Sequence, residues 1–149
     1  MFERILCPID FDDNSLEALR LARRLTLRDE GRLYLLHVVP PTDPPVVSAP
    51  RLAQHSGQES LVNLKTVAAE DLVGVAHETL MRFGHPAAEV MEAAKEVRAD
   101  LIVMATHGRH GISHLVLGSV AEKVVRESAC PVLTLRIHER QKQAAAPAA

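Results

Sequence analysis

The sequence is poor in aromatic side chains, and this shortage bounds both its core and its ligands. Only 3% of the 149 residues are aromatic and there is no tryptophan, so Leu, Val, Ile and Ala must build the core. Proteins that hold single-stranded nucleic acid stack its bases on aromatic side chains. A net charge of -2 gives no basic field for nucleic acid or an anionic membrane. We therefore expect neither kind of partner.

Cysteine, long apolar runs and a secretory leader are also scarce or missing. Cys7 and Cys130 are the two cysteines, and neither has a second cysteine nearby in sequence. They fit reduced packing residues, although a redox sensor is an open alternative. No run approaches the ~18 apolar residues that span a bilayer, and the start lacks the basic and apolar regions of a signal peptide. The sequence predicts a cytoplasmic protein.

Three catalytic and cofactor motifs are absent. The lack of G-x-x-x-x-G-K-[ST] excludes a P-loop NTPase. The lack of G-x-S-x-G excludes the nucleophile elbow of α/β-hydrolases. No G-x-G-x-x-G follows the first predicted strand, which weakens a dinucleotide-binding interpretation.

What the chain does have is an alternation of short apolar segments and amphipathic stretches. The apolar segments predict strands at residues 4–9, 33–39, 75–83, 101–105 and 132–137. Helices are predicted at 15–27, 52–73, 86–97 and 114–127, with Asn14 or Asp13 capping the first and Ser113 the last. Because strands alternate with helices, the sequence predicts one α/β domain (residues 1–138) with a parallel sheet covered on both faces. A disordered tail is predicted for residues 139–149.

The two strands at 75–83 and 132–137 alternate between apolar and polar residues, which favours edge positions. Ligands of such sheets bind at the carboxyl ends of strands, so the residues after each strand are candidates. Gly108 follows the fourth strand and can form an anion-binding turn. Gly118 lies inside the predicted fourth helix, where glycine costs ~1 kcal/mol relative to alanine. Either the helix begins near Gly118 and its N–H groups and the Ser119 hydroxyl face phosphates, or the glycine allows close helix–sheet packing.

The segment beginning Ala105-Thr106-His107-Gly108 and ending Gly118-Ser119 resembles the ATP motif of the universal stress protein family. That motif is a glycine, two residues, a second glycine, nine residues, then Gly-Ser or Gly-Thr. Further similarity, from Pro8-Ile9-Asp10 to Cys130-Pro131-Val132-Leu133, extends it over about residues 2–137. The resemblance implies an open five-stranded parallel sheet in the order 3-2-1-4-5, of the Rossmann-like adenine-nucleotide α-hydrolase type. It also implies ATP across the strand ends and a homodimer through the last strand, Val132 to Ile137.

The resemblance also implies a role for individual residues. Asp10 would hydrogen-bond the adenine, with Pro8 and Val38 flanking the base and Ile9 belonging to the same motif. Met104 and Ala105 would lie by the base and ribose. The residues that would hold the phosphates are Gly108, Gly118, Ser119 and Val120. Arg109 would contact the γ-phosphate or remain a solvated cation; both interpretations are open. Ala105 departs from the motif, because the family has glycine there. We expect binding that is retained but weakened if that glycine needs a positive φ or touches the ligand.

Metal binding by the protein itself is not expected. Asp10, Asp12 and Asp13 form an acidic cluster by the implied site. One of them can meet a Mg²⁺ that the phosphates carry, or Asp12 and Asp13 can cap the first helix. Zinc needs three or four converging ligands, and no Cys or carboxylate joins the histidines at 107, 110 and 114 at a suitable spacing.

The function that these features favour is an ATP-binding regulatory protein of the stress response with slow hydrolysis at most, because no residue pattern indicates a general base. A second hypothesis is a dimeric interaction module of the same fold that needs no nucleotide, which the change at Ala105 favours. A third is an enzyme acting on adenylated or phosphorylated substrates, which rests on analogy of fold alone.

Overall fold

The computed structural model describes residues 1–41, 49–107 and 117–137, and of residues 49–56 it describes the backbone. Nine elements alternate along this part of the chain. They are β1 (Arg4–Pro8), α1 (Asp13–Asp29), β2 (Arg32–Val39), α2 (Ala49–Asp71), β3 (His77–Phe83), α3 (Pro86–Glu96), β4 (Leu101–Ala105), α4 (Ser119–Glu127) and β5 (Val132–Leu135). The predicted alternation of strands and helices is confirmed.

The five strands form one parallel sheet in the order β3-β2-β1-β4-β5. This order and the edge positions of β3 and β5 agree with the expectations from sequence. The order reverses between β1 and β4, because the chain moves outward from β1 to β3 and then crosses over to β4. A parallel sheet binds ligands outside the carboxyl ends of its strands at such a reversal.

Each face of the sheet carries its own hydrophobic core. On one face α1 and α2 pack through residues such as Leu19 and Leu64, and on the other face α3 and α4 pack through Val90 and Val124. All four of these side chains are fully buried or nearly so. Burial of a large aliphatic side chain contributes about 1.5–3 kcal/mol. These side chains therefore stabilise the fold in place of aromatic residues.

The two cysteines are free thiols in different surroundings. Cys7 lies in β1 and is completely buried, and this burial raises the pKa of its thiol far above the ordinary value. A buried thiol of this kind is unreactive, so the packing interpretation fits Cys7. Cys130 is half-buried in the turn that precedes β5.

The start of the chain is tied down by two carboxylates. Asp100 accepts hydrogen bonds from the backbone N–H of Glu3 (2.8 Å) and of Arg4 (3.1 Å). Asp29, at the end of α1, accepts one from the N–H of Phe2 at 2.7 Å. The hydrogen bond from Arg28, followed by that from Phe2, holds the pKa of Asp29 well below its usual range. These bonds fix the amino end of β1 between its two neighbouring strands.

Several predicted boundaries are wrong by a few residues. The N-cap of α1 is Asp12, one of the two aspartates given this role as an alternative, and not Asp13 or Asn14; its side chain accepts from the N–H of Ser15 at 2.7 Å. Helix α4 begins at Ser119 with Gly118 as N-cap, so residues 117 and 118 are not helical as predicted. Ser113, the predicted cap, lies outside the described residues.

The strand boundaries differ as well. Strand β5 ends at Leu135 instead of residue 137, and β3 begins at His77 instead of residue 75. The predicted tail, residues 139–149, lies outside the described part of the chain. Within that part, no helix has the length and apolar character needed to cross a membrane.

Candidate functional site

A cavity of about 840 Å³ opens at the carboxyl edge of the sheet. Its walls come from the ends of β1, β2 and β4, from the side of α2, and from the starts of α3 and α4. It therefore lies at the reversal of strand order. Its volume falls in the range of about 300–1,000 Å³ that is typical of small-molecule sites.

The structure brings most of the predicted site residues to this one cavity. Those that line it are Pro8, Ile9, Asp10, Val38, Met104, Ala105, Gly118, Ser119 and Val120. They come from four separate places in the sequence. Gly108 and Arg109 lie outside the described residues, as do His110 and His114.

The start of α4 presents free backbone donors to the cavity. The first bond within the helix joins the N–H of Glu122 to the carbonyl of Gly118 at 2.8 Å, so the N–H groups of Ser119, Val120 and Ala121 have no partner inside the helix. Gly118 has no side chain to cap them. Free N–H groups and the positive end of the helix dipole together make a binding site for anions such as phosphate.

Gly118 is packed against the end of β4 too closely for any side chain. Its N–H donates to the carbonyl of Thr106 at 2.7 Å, and a Cβ at residue 118 would lie 2.8 Å from that same oxygen. The sequence left open whether the helix begins at Gly118 or the glycine allows close packing. The structure shows both features together. The glycine holds the α4 terminus beside β4.

The end of β4 carries an unusual histidine. The Nδ1 atom of His107 lies 2.9 Å from the hydroxyl of Thr106. Its Nε2 atom is buried, and in the part of the chain that the structure describes it has no hydrogen-bond partner. Thr106 is itself 8% exposed. Both residues line the cavity, and neither was assigned a ligand contact from the sequence.

Ala105, the residue that departs from the motif, has ordinary backbone geometry. It is the last residue of β4 and pairs with Leu135 of β5. It is absent from the non-glycine residues with positive φ, which are Phe11, Glu30 and Arg98 in the described part of the chain. Its Cβ therefore causes no backbone strain, and one of the two reasons for weakened binding falls away.

The turn between β1 and α1 places Asp10 at the cavity, with Asp12 bonded to it. The Asp12 N–H donates to Oδ1 of Asp10 at 3.2 Å, and Phe11 between them has a φ of 66°. Burial raises the pKa of the Asp12 carboxyl, and the neighbouring Asp10 raises it further, although the hydrogen bond from the Ser15 N–H acts in the opposite direction. Among the described residues, no three or more His, Cys, Asp or Glu side chains come together as a metal site.

His37, at the end of β2, also lines the cavity, and no sequence pattern indicated this role. It is 8% exposed, and its Nδ1 lies 2.9 Å from the carbonyl oxygen of Ile9, which can only accept. The ring nitrogen therefore carries the proton. The imidazole also packs on the ring of Phe11, with centroids 4.4 Å apart. The two rings line the cavity beside the ends of β1 and β2.

Helix α2 supplies a polar wall that the sequence reasoning did not identify either. Glu59, Ser60 and Asn63 line the cavity, and we call these three residues the α2 wall. No motif marks them, because they reach the site only through the packing of α2 on β2 and β3. Their spacing of one helical turn places Glu59 and Asn63 side by side.

Comparison with protein families gives a match over almost the whole chain. The sequence model of the Universal stress protein family covers residues 1–136. Universal stress protein MJ0531 of Methanocaldococcus jannaschii is 37% identical over 145 residues, covering 91% of this chain and 83% of the relative. Universal stress protein YxiE of Bacillus subtilis is 35% identical over 150 residues, covering 91% of this chain and 100% of the relative.

Solved structures show the same fold. The hypothetical protein MJ0577, from a study that assigned its biochemical function from structure, superposes with a TM-score of 0.84 at 26% identity, over 93% of this chain and 98% of that one. A universal stress protein in complex with cAMP gives 0.72 at 24% identity, over 92% and 99%. One from Archaeoglobus fulgidus in complex with dAMP gives 0.61 at 19%, over 91% and 98%. At these last two identities the likeness is one of fold.

Proposed function

Because this chain belongs to the universal stress protein family, we propose that it binds an adenine nucleotide, ATP first of all, in the cavity at the carboxyl edge of its sheet. The observation that carries the proposal is the free amino terminus of α4, fixed by Gly118 against β4 and open to the cavity. Backbone donors at this place favour the phosphates of a nucleotide. Two structural neighbours were solved with adenine mononucleotides, cAMP and dAMP.

In this proposal the phosphates lie at Ser119 and Val120, with Gly108 and Arg109 as further candidates that are outside the described residues. The base lies toward the ends of β1 and β2, near Pro8, Asp10 and Val38. Met104 and Ala105, at the end of β4, lie between the two. A Mg²⁺ that arrives with the phosphates would lie at their end of the cavity, since phosphate oxygens are among its usual ligands.

We expect the nucleotide to act as a signal and not as a rapidly consumed substrate. Rapid hydrolysis needs a residue that orients the attacking water, and no pattern in the sequence indicates one. Slow hydrolysis of ATP fits the role proposed for the protein, a regulator of the stress response that acts in the cytoplasm.

The proposed assembly is a homodimer through β5. This strand is an edge of the sheet, and Leu133 on it is 38% exposed. An unpaired edge strand with exposed apolar side chains is open to pairing with a second copy around a two-fold axis.

Substitution of Gly118 by alanine tests the binding site. A Cβ there meets the Thr106 carbonyl, so we expect α4 to shift, ATP affinity to fall at least tenfold, and the free energy of unfolding to fall by about 1–3 kcal/mol. Gly31→Ala is the matched control, because its Cβ would lie 2.6 Å from the Phe2 carbonyl oxygen, far from the cavity. Calorimetric titration should show ATP binding retained by Gly31→Ala. Equal ATP affinity of Gly118→Ala and the wild type would contradict the proposed site.

A further inference from the structure

The α2 wall faces the cavity with polar groups that the protein does not use itself. Glu59 and Asn63 make no hydrogen bond or ion pair with the described part of the chain, and both side chains are exposed. The apolar residues of α2, including Leu64 and Leu72, are buried against the sheet. The helix therefore packs on the sheet through its apolar face, and the Glu59 carboxylate and the Asn63 amide line the side of the cavity.

The α2 wall lies at the opposite end of the cavity from the anion-binding terminus of α4. Helix α2 packs on β2 and β3 on one face of the sheet, whereas α4 packs beside β5 on the other face. The start of α4 lies beside the end of β4, and β1 separates β2 from β4, a distance of about 10 Å at about 4.8 Å per strand spacing. A nucleotide with its phosphates at α4 would point its other end toward α2.

The charge of Glu59 decides which part of a ligand can face it. A carboxylate repels a phosphate and attracts hydrogen-bond donors. The end of a nucleotide opposite its phosphates is the base, and the 6-amino group of adenine is a donor. Asn and Gln side chains pair with the 6-amino group and N7 of adenine, and Glu and Asp accept from the exocyclic amino group of cytosine. The α2 wall has both kinds of group within one helical turn.

We propose that Glu59 and Asn63 read the base of the bound nucleotide and select adenine over bases with a carbonyl at position 6. This inference rests on the proposed nucleotide-binding function. Hypoxanthine, the base of inosine triphosphate (ITP), has an acceptor where adenine has its amino donor. If the 6-carbonyl oxygen of hypoxanthine faces the Glu59 carboxylate, two hydrogen-bond acceptors oppose each other and neither has a donor. A site that hydrogen-bonds a substrate group disfavours the analogue that lacks it.

The test is a calorimetric titration of the full chain with ATP and with ITP. We expect the wild type to bind ATP about tenfold or more tightly than ITP, the size of one good base contact. Glu59→Gln keeps the shape and helix propensity of the side chain but removes its charge, and its amide can donate to the ITP carbonyl. We expect the ratio of ATP to ITP affinity to fall at least fivefold, mainly through tighter ITP binding. Asn63→Ala should weaken ATP more than ITP.

Glu70→Gln is the control, because Glu70 is an exposed residue of the same helix that does not line the cavity. It should keep the wild-type ratio. If Glu59→Gln and Asn63→Ala also keep it, the base-reading role of the α2 wall is overturned, while ATP binding by the wild type still supports the proposed function. If the wild type binds neither nucleotide, the proposed function and this inference both fail.

Discussion

The Cβ atom of Ala105 is the smallest feature that bears on function. The ATP motif that the sequence resembles has glycine at this position, which raises the question of whether the methyl group hinders the ligand. The backbone of Ala105 is that of a β-strand residue paired with Leu135, so the missing glycine is not needed for a positive φ. Only direct contact between the methyl group and the nucleotide can weaken binding.

Substitution of Ala105 by glycine separates these effects. We expect ATP affinity to stay unchanged, and the free energy of unfolding to fall by about 0.5–1 kcal/mol because glycine is more flexible in the unfolded chain. Calorimetry with ATP and urea unfolding measure the two quantities. A tenfold gain in affinity for the glycine variant would show instead that the methyl group crowds the nucleotide.

Asp29 gives a prediction about acid stability. Its pKa is lowered in the folded protein by Arg28 and by the N–H of Phe2. A carboxyl whose pKa is lower when folded adds stability above its unfolded pKa and loses that contribution as the pH falls toward the folded value. Asp29→Asn should therefore be less stable than the wild type at about pH 7, and the difference should narrow by about pH 3.

Urea unfolding at the two pH values measures this difference. Glu70→Gln, at an exposed carboxyl without an ion pair in the described part of the chain, is the control and should change little at either pH. A difference between Asp29→Asn and the wild type that does not depend on pH would show that Asp29 acts through shape and not through charge.

At the level of elements, the start of α4 shows where local sequence patterns fail. Periodicity extended this helix back to residue 114 because the apolar spacing continues without a break. The structure begins it at Ser119, since the N–H of Gly118 donates to Thr106 instead of entering a helical turn. That bond joins residues 12 apart, so no local pattern contains it. The cost of a glycine inside a helix was the one signal in the sequence that pointed to the correct start.

The cap of α1 was left open among several residues for a different reason. Asp12, Asp13 and Asn14 all have side chains that can cap a helix, and the sequence does not rank them. The positive φ of Phe11 turns the chain so that Asp12 reaches the N–H of Ser15. Backbone strain of this kind at a bulky residue cannot be predicted from composition or spacing.

Strand β5 yields a prediction about assembly. Replacing the exposed Leu133 by aspartate places a charge on the proposed dimer edge, where two copies would bring like charges together. We expect sedimentation equilibrium to show a dimer for the wild type and a monomer for Leu133→Asp. Val62→Asp, at a residue of α2 that is 62% exposed, should remain a dimer. A wild-type chain that is monomeric at every concentration would refute the interface.

For the molecule as a whole, the sheet was predictable because every level of the sequence agrees on it. The β1, β2 and β4 segments are apolar and short, the edge strands alternate, and amphipathic helices separate them. The strand order came from the resemblance to a family and not from periodicity. The residues that the sequence missed, His37 and the α2 wall, carry no motif, because they join the cavity only when the sheet is assembled.

The central claim is that the cavity at the carboxyl edge of the sheet holds an adenine nucleotide. It is tested most directly by calorimetric titration of the wild-type chain, freed of any co-purified nucleotide, with ATP. We expect saturable binding of one ATP per chain and, through that binding, a rise in the midpoint of thermal unfolding with ATP concentration. The absence of saturable heat with ATP, ADP and AMP alike would contradict it.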